Sequence, residues 1–222
     1  MSARASILVV AKAPVPGLAK TRLSPAVSPE QAADIAAASL LDTLDAVLAT
    51  PDVVPVVALT GDLTRARRSR EIRSLLRHVV LVPQRGSDFA TRLVNAHADA
   101  AFLNAGLPVL QIGMDTPQVT AELLDECVGS LRHVDGALGM ATDGGWWALG
   151  LRDGHRASAL RTVPMSRDDT GALTAVALKR DGLRIGLLPE LSDVDDMATA
   201  WQVAASLPGS RFADALLVGA VR

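Results

Sequence analysis

Six short apolar runs punctuate the chain, Ile7–Val10, Val53–Leu59, Val79–Val82, Val109–Ile112, Ala137–Met140 and Ile185–Leu188, and a stretch long enough for a helix separates each from the next. Short β-rich runs alternating with helical patterns are the signature of βαβ units, so the expected fold class is α/β with a mostly parallel sheet. Crossovers between parallel strands pack helices against the sheet, which places helices on both faces. No stretch rich in Gly, Ser or Pro divides the 222 residues, and a single domain over 1–222 is expected. In an open sheet of this kind the ligand crevice lies beyond the carboxyl ends of the strands. Four segments just after strands therefore come first: the loop after Val10, Gln84–Arg92, Gly113–Pro117 and Thr142–Gly145.

Composition narrows the partner. A formal net charge of −2 argues against a general nucleic-acid binder, which carries a basic footprint, yet it is compatible with a small anionic ligand. The apolar run near the amino terminus ends at Lys12, too short for a signal-peptide core, and no run of about 18 apolar residues is present, so no membrane partner and a cytoplasmic location are expected. The lone cysteine, Cys127, falls in a helical pattern and reads as a buried small residue that suits a reducing compartment. Histidines 78, 97, 133 and 155 are scattered without metal-ligand spacing, which speaks against zinc. The six arginines of Arg65–Arg77 look like an RNA- or membrane-binding helix. Helical spacing instead sets Ile72, Leu75 and Leu76 on one side and turns Arg67, Arg70 and Arg77 toward solvent.

The loop after the first run reads AKAPVPGLAKTRL over residues 11–23. Pro14 and Pro16 stiffen it, Gly17 permits positive φ or a close ligand, and Lys12, Lys20 and Arg22 bring three cations to one mouth. Such a cluster suits phosphate; it is also what a solvated surface turn carries. Neither the Gly-x-x-x-x-Gly-Lys-Ser/Thr loop nor the Gly-x-Gly-x-x-Gly fingerprint is present. Downstream, Ser28, Pro29 and Gln31 form a helix-start signal with a capping box, ahead of an apolar face of Ile35, Leu41, Leu44 and Leu48.

Asp115, on the turn Gly113-Met114-Asp115-Thr116-Pro117, is aimed where a strand meets the crevice and is a candidate ligand for a hard divalent cation, although Asp and Pro also populate turns for conformational reasons. Asp143, followed by Gly144 and Gly145, is placed to bind an acceptor or take a proton from an attacking hydroxyl; the alternative is an Asx turn leading into a strand whose two tryptophans face opposite ways. One of Trp146 and Trp147 then belongs to the core and the other is left to stack on a ligand. Asp193, Asp195 and Asp196 precede a helix ending near Leu207, which they either cap or join to the crevice. Arg92 and Asp88 lie at helical spacing and are able simply to pair.

Lys12, Pro14, Pro16, Gly17, Lys20, Thr21, Arg22 and Leu23 match the Lys-x-Pro-x-Pro-Gly-x-x-Lys-Thr-Arg-Leu opening of small bacterial proteins of the nucleotide-diphospho-sugar transferase superfamily, and the chain resembles that GT-A-like family over nearly its whole length. A looser likeness is to phospholactate guanylyltransferases. The turn at Gly113, Asp115 and Pro117 resembles the family's Gly-Ser-Asp-Cys-Pro, with Met114 and Thr116 departing. The stretch Gly139–Leu151 resembles Gly-Pro-Ala-x-Asp-Gly-Gly-Tyr-Tyr-x-x-Gly-Leu, and Gln84–Arg92 resembles Gln-x-Gly-x-Asp-Leu-Gly-x-Arg with Phe89 and Ala90 departing. Asp193 and Asp195 match an Asp-x-Asp segment, from which Asp196 and Thr199 depart.

The resemblance implies a single Rossmann-like GT-A domain and a transferase working with Mg²⁺ or Mn²⁺, a nucleotide or nucleotide-sugar donor and a small-molecule acceptor, with no nucleic acid. It implies metal ligation by Asp115 and Asp195, catalytic roles for Asp115, Asp143 and Lys20, and nucleotide binding by Lys12, Pro16, Gly17, Lys20, Arg22, Gln84 and Arg92. Acceptor contacts fall to Asp143, Gly144, Gly145 and Trp146. Nucleotidyl transfer from a triphosphate is favoured, since the chain has little length for a separate acceptor module and three cations suit a triphosphate. Glycosyl transfer, and a noncatalytic nucleotide- or partner-binding role suggested by the departures, stay open.

Overall fold

The computed structural model describes residues 3–23 and 26–220. Strand β1 (Ala5–Lys12) is buried along its length except at Lys12, as a continuous apolar run covered on both faces must be. Its neighbours are β2 (Val53–Thr60) and β4 (Val109–Gly113), both parallel, with Ile7 opposite Pro55 and Leu110. The full sheet has seven strands in the order β3-β2-β1-β4-β6-β5-β7, with β3 at Val80–Pro83, β5 at Gly136–Ala141, β6 at Trp146–Leu151 and β7 at Ile185–Leu191. Strand β6 runs antiparallel to both β4 and β5. All other pairings are parallel, so the sheet is mostly parallel and the α/β class holds.

Helices cover both faces. On one side α1 (Pro29–Ala49), α2 (Ser69–Leu75) and α4 (Ala121–Ser130) enclose Ile7, Val9, Leu44, Ile72 and Trp147. On the other, α3 (Phe89–Leu103), α5 (Thr170–Arg180) and a 3₁₀ segment, Gly154–Thr162, pack over Leu8, Leu93, Leu149 and Leu160. The outer side of α1 receives α6 (Met197–Ala205) and α7 (Arg211–Ala220) through Ile35, Val203 and Phe212. Each aliphatic side chain fully buried in these layers contributes about 1.5–3 kcal/mol. Among the described residues no helix is long and apolar enough to cross a membrane.

Several local expectations meet corrections. The Ser28 hydroxyl caps α1 by accepting from Gln31 N at 3.2 Å, but Ser28 N makes no return bond to the Gln31 side chain, so the capping box stays open. The arginine segment forms only two short pieces, because Arg68 takes a left-handed backbone (φ 48°) that starts α2 late. Arg68 also grips Asp34 of α1 through two bonds of 3.2 and 2.9 Å, and Arg67 lies 3.6 Å from the same carboxylate. Arg68 therefore fastens α1 from the segment before α2, while Arg67, Arg70 and Arg77 stay exposed as expected. Cys127 is buried and its thiol pushed up to about 12, mainly by burial, which fits the inert reading.

Candidate active site

The carboxyl ends of β1, β4, β5 and β7 open on a crevice of ≈670 Å³, within the usual range for a small-molecule site. Two acidic loops meet there. The loop after β4 carries Asp115, and the loop after β7 carries Asp193 and Asp195. Val194 N donates to Asp115 O (3.1 Å), and Gln118 Nε2 donates to Ser192 O (2.6 Å), which locks one loop to the other.

Lys20 arrives from the opening loop and joins them. Its Nζ donates to Asp115 Oδ2 at 2.6 Å, to Asp195 Oδ1 at 3.2 Å and also to Val194 O. The lysine side chain is only 10% exposed, and it reaches this point from a left-handed backbone (φ 48°), an uncommon conformation for a residue with a Cβ. Burial alone would depress its pKa; Asp115 and Asp195 together more than reverse that, leaving it raised. Arg22 Nη1 takes the other Asp195 oxygen at 2.9 Å. Asp193 sits behind the pair, and burial, then the nearby Asp115, push its carboxyl up to about 7. Sequence reading matched Asp193 to the acidic segment but left it out of the ligand set; its burial and its nearness to Asp115 are tertiary facts that spacing does not carry.

Met114, where the resembled family has serine, is nearly buried, and its sulfur accepts the Lys12 N–H at 3.2 Å, so this departure ties the opening loop to β4. The Lys12 side chain is exposed at the mouth. Gln84 donates through Nε2 to Ala11 O (2.8 Å) and Ala58 O (3.0 Å), bridging the ends of β1 and β2 while facing the crevice. Arg92 also lines it. The anticipated Arg92–Asp88 pairing does not form: Asp88 caps α3 by accepting from Thr91 N and Oγ1 (2.8 Å each), and Arg92 Nε turns to Gly86 O at 3.3 Å. In the same manner Asp196 caps α6 through Thr199 N (2.8 Å), so the helix-capping alternative falls on Asp196 and leaves Asp193 and Asp195 to the crevice.

Pro16, Gly17 and Gly144 do not line the crevice. Gly17 has φ +74° and open space where a Cβ would sit, so it serves the turn rather than a close ligand. Gly144 has φ +87°, and a Cβ there would overlap the Asp168 carbonyl oxygen; it supports a wall instead of touching what the wall encloses. Asp143 forms the Asx turn, Oδ1 accepting from Gly145 N at 2.8 Å, and still lines the crevice with Gly145 and Trp146. Trp147 is the core tryptophan, donating Nε1–H to Pro189 O at 2.8 Å; Trp146 is the half-buried one. The segment Met165–Thr170, which sequence reasoning missed, completes the wall.

A bacterial family profile described as "Uncharacterized protein conserved in bacteria" matches residues 43–167, more than half of the chain, a span that holds Asp115 and Asp143. Among solved structures, a protein from Desulfovibrio desulfuricans G20, provisionally named a nucleotide-diphospho-sugar transferase, is 27% identical with a TM-score of 0.80 over 98% of each chain. CMP:2-keto-3-deoxy-manno-octonic acid synthetase, solved with CTP, shares the fold at TM-score 0.57 and 12% identity, covering 92% of this chain and 98% of its own. So does 4-diphosphocytidyl-2C-methyl-D-erythritol synthase from Anaerococcus prevotii DSM 20548, at TM-score 0.59 and 11% identity over 91% and 96%. No curated protein sequence matches the chain.

Proposed function

We propose that this chain, which belongs to the bacterial family DUF2064, is a nucleotide-donor transferase whose preferred reaction is nucleotidyl transfer from a nucleoside triphosphate to a small acceptor. The observation that carries this reading is the convergence of Asp115, Asp195 and Lys20, from three separate loops, on one point of a nucleotide-sized crevice. The fold shared with two cytidylyl-transferring enzymes supports it, and so does the placement of Lys12 and Arg22 beside that point, where they would neutralise a departing pyrophosphate. Free, buried Cys127 fits a reducing cytoplasm.

The donor set fits a hard divalent cation. Asp115 and Asp195 turn oxygens onto a single positive charge, that of Lys20. Among the described residues no group of three or more His, Cys, Asp and Glu is arranged to hold a metal, so Mg²⁺ or Mn²⁺ would rest on the two aspartates and draw its other oxygens from phosphate and water. When bound, such an ion polarises phosphoryl oxygens. The chain's own residues supply the rest. Lys20 holds the two carboxylates in place, Arg22 and Lys12 orient the phosphates, Gln84 and Arg92 line the donor end, and Asp143 stands where it accepts the proton of an attacking hydroxyl.

Pyrophosphorolysis tests the reaction type without a known acceptor. Labelled pyrophosphate is incubated with Mg²⁺ and a panel of nucleoside monophosphate and nucleoside diphosphate sugars, and label entering a nucleoside triphosphate is the expected result. Asp115→Asn should lower that rate roughly 10²–10³-fold with the fold intact. The exposed second oxygen of Asp143 supports glycosyl transfer as the other reading, because an inverting reaction needs a base there. Release of nucleoside diphosphate without labelled triphosphate would select it. Absence of any metal-dependent turnover would leave the noncatalytic role, nucleotide-binding if triphosphate still binds and partner-binding if it does not.

A further inference from the structure

We infer that the end of the crevice away from the opening loop is an acceptor subsite for an uncharged, polyhydroxylated molecule of sugar or cyclitol type. The inference rests on the donor reading of the cationic end and names what occupies the other. Its wall is built from two turns locked together. Gly171 N donates to Gly144 O at 2.9 Å, Arg167 N donates to Thr170 Oγ1 at 3.1 Å, and the Thr170 hydroxyl donates to Pro164 O at 3.0 Å. A Cβ on Gly171 would stand 2.5 Å from Gly145 O, so the two turns approach as closely as glycine allows. Ser166, between them, is held in the left-handed region at φ 61°. Backbone held this way in a crevice wall is the kind of strain found at ligand sites.

What the wall presents is hydrogen-bond acceptors and one cation, Arg167, that is already paired. The Asp168 carboxylate and the Ser166 hydroxyl line the crevice and bond to nothing among the described residues. Arg167, which also lines the crevice, is turned onto Asp169 by two bonds of 2.9 and 3.0 Å, so its fork is occupied. Asp143 keeps one oxygen free beside them. The floor adds an independent sign of a polar ligand: Gln111 is 2% exposed, lines the same crevice, and its Oε1 has no partner. A buried amide oxygen left unpaired costs about 1–3 kcal/mol, which a ligand donor would recover. Trp146 and Met165 pack on the same side of the sheet as Leu149, the β6 residue opposite Gln111, and give that end an apolar face. Carboxylates that accept from hydroxyl groups, beside an aromatic face, suit a polyol. A phosphate or carboxylate there would meet Asp143 and Asp168 as like charges.

Saturation-transfer NMR on the full chain provides the test, with glucose, mannose, galactose and myo-inositol as probes, glucose 1-phosphate and glucosamine as charged counterparts, and each run with and without nucleoside triphosphate and Mg²⁺. Transfer to at least one neutral polyol is expected, weakened about tenfold by Asp168→Asn. Ser166→Ala should weaken it by a smaller factor, and Asp168→Lys should abolish it while admitting glucose 1-phosphate. Both exposed side chains are unpartnered, so these variants keep the fold. Triphosphate affinity, measured by calorimetry, should stay within about twofold of the parent in Asp168→Asn, because that carboxylate lies away from the donor cations. The subsite is overturned if no neutral polyol receives saturation, if glucose 1-phosphate or glucosamine binds the parent in preference, or if Asp168→Asn binds as the parent does. A chain that binds polyol but no triphosphate would instead refute the donor reading alone.

Discussion

Replacing Lys20 by methionine keeps most of the side-chain volume and removes the charge that Asp115 and Asp195 share. At an effective dielectric near 20, a charge 2.6 Å from one carboxylate and 3.2 Å from the other gains roughly 6 and 5 kcal/mol of gross attraction. Most of that is offset by withdrawing an ammonium 10% exposed from water. The net effect of the substitution therefore comes from the carboxylates left behind. Removing one partner of a buried pair typically costs about 3–5 kcal/mol. Here Asp115 and Asp195 are 36% and 37% exposed, and Arg22 still faces Asp195, so water and the guanidinium screen part of the loss. The expected destabilisation is about 2–3 kcal/mol, read from urea unfolding at pH 7.5 as a lower midpoint with unchanged slope. Adding Asp115→Asn to the methionine variant should return about 1 kcal/mol or more, since it removes an uncompensated charge. A loss under about 0.5 kcal/mol, or two substitutions whose penalties merely add, would refute the claim that this ammonium holds the two loops together.

Three further outcomes follow from other parts of the molecule. His97 is fully buried with neither ring nitrogen bonded, and burial depresses its pKa to about 3. Its proton binds the unfolded chain better, so its contribution is intact above pH ~6.5 and is lost as pH falls toward the folded value, about 1.4 kcal/mol per pH unit at most; His97→Leu should flatten that limb of the stability–pH curve, and an unchanged limb would contradict the assignment. Gly144→Ala forces a Cβ into the Asp168 carbonyl at positive φ, and a loss of about 2–4 kcal/mol is expected by the same denaturation assay, against no change if the two turns part freely. Arg22→Ala should weaken nucleoside triphosphate binding about tenfold or more by calorimetry while a matched nucleoside loses less than about twofold; equal losses would remove Arg22 from phosphate recognition.

The strands that carry the fold were legible because they are continuous apolar runs: all six expected runs overlap strands, and Ile7–Val10 lies inside a sheet covered on both sides. Strand β6 was visible only as one reading of the two tryptophans. Its antiparallel insertion between β4 and β5 depends on which edge the chain returns to, and local sequence does not encode that. At the site, residue types at strand ends brought Asp115, Asp143 and Asp195 into view. The part each plays came from partners far along the chain. Lys20 reads like Lys12 and Arg22 in sequence, yet only Lys20 is drawn down between the carboxylates. Arg68, Asp88 and Asp196 looked like surface charge or ligands and proved to be a helix clamp and two helix caps, since capping is fixed by where a helix begins.

The point where Lys20, Asp115 and Asp195 meet gathers residues separated by 95 and 175 positions, so its last member is made long after its first. During synthesis the first four strands are all made before the second acidic loop exists. Until then Lys20 can face Asp115 alone. On the proposed function, nucleotide capture waits for the second acidic loop, and a nascent chain stalled before Asp193 should protect β1 and β4 from proteolysis while failing to retain triphosphate.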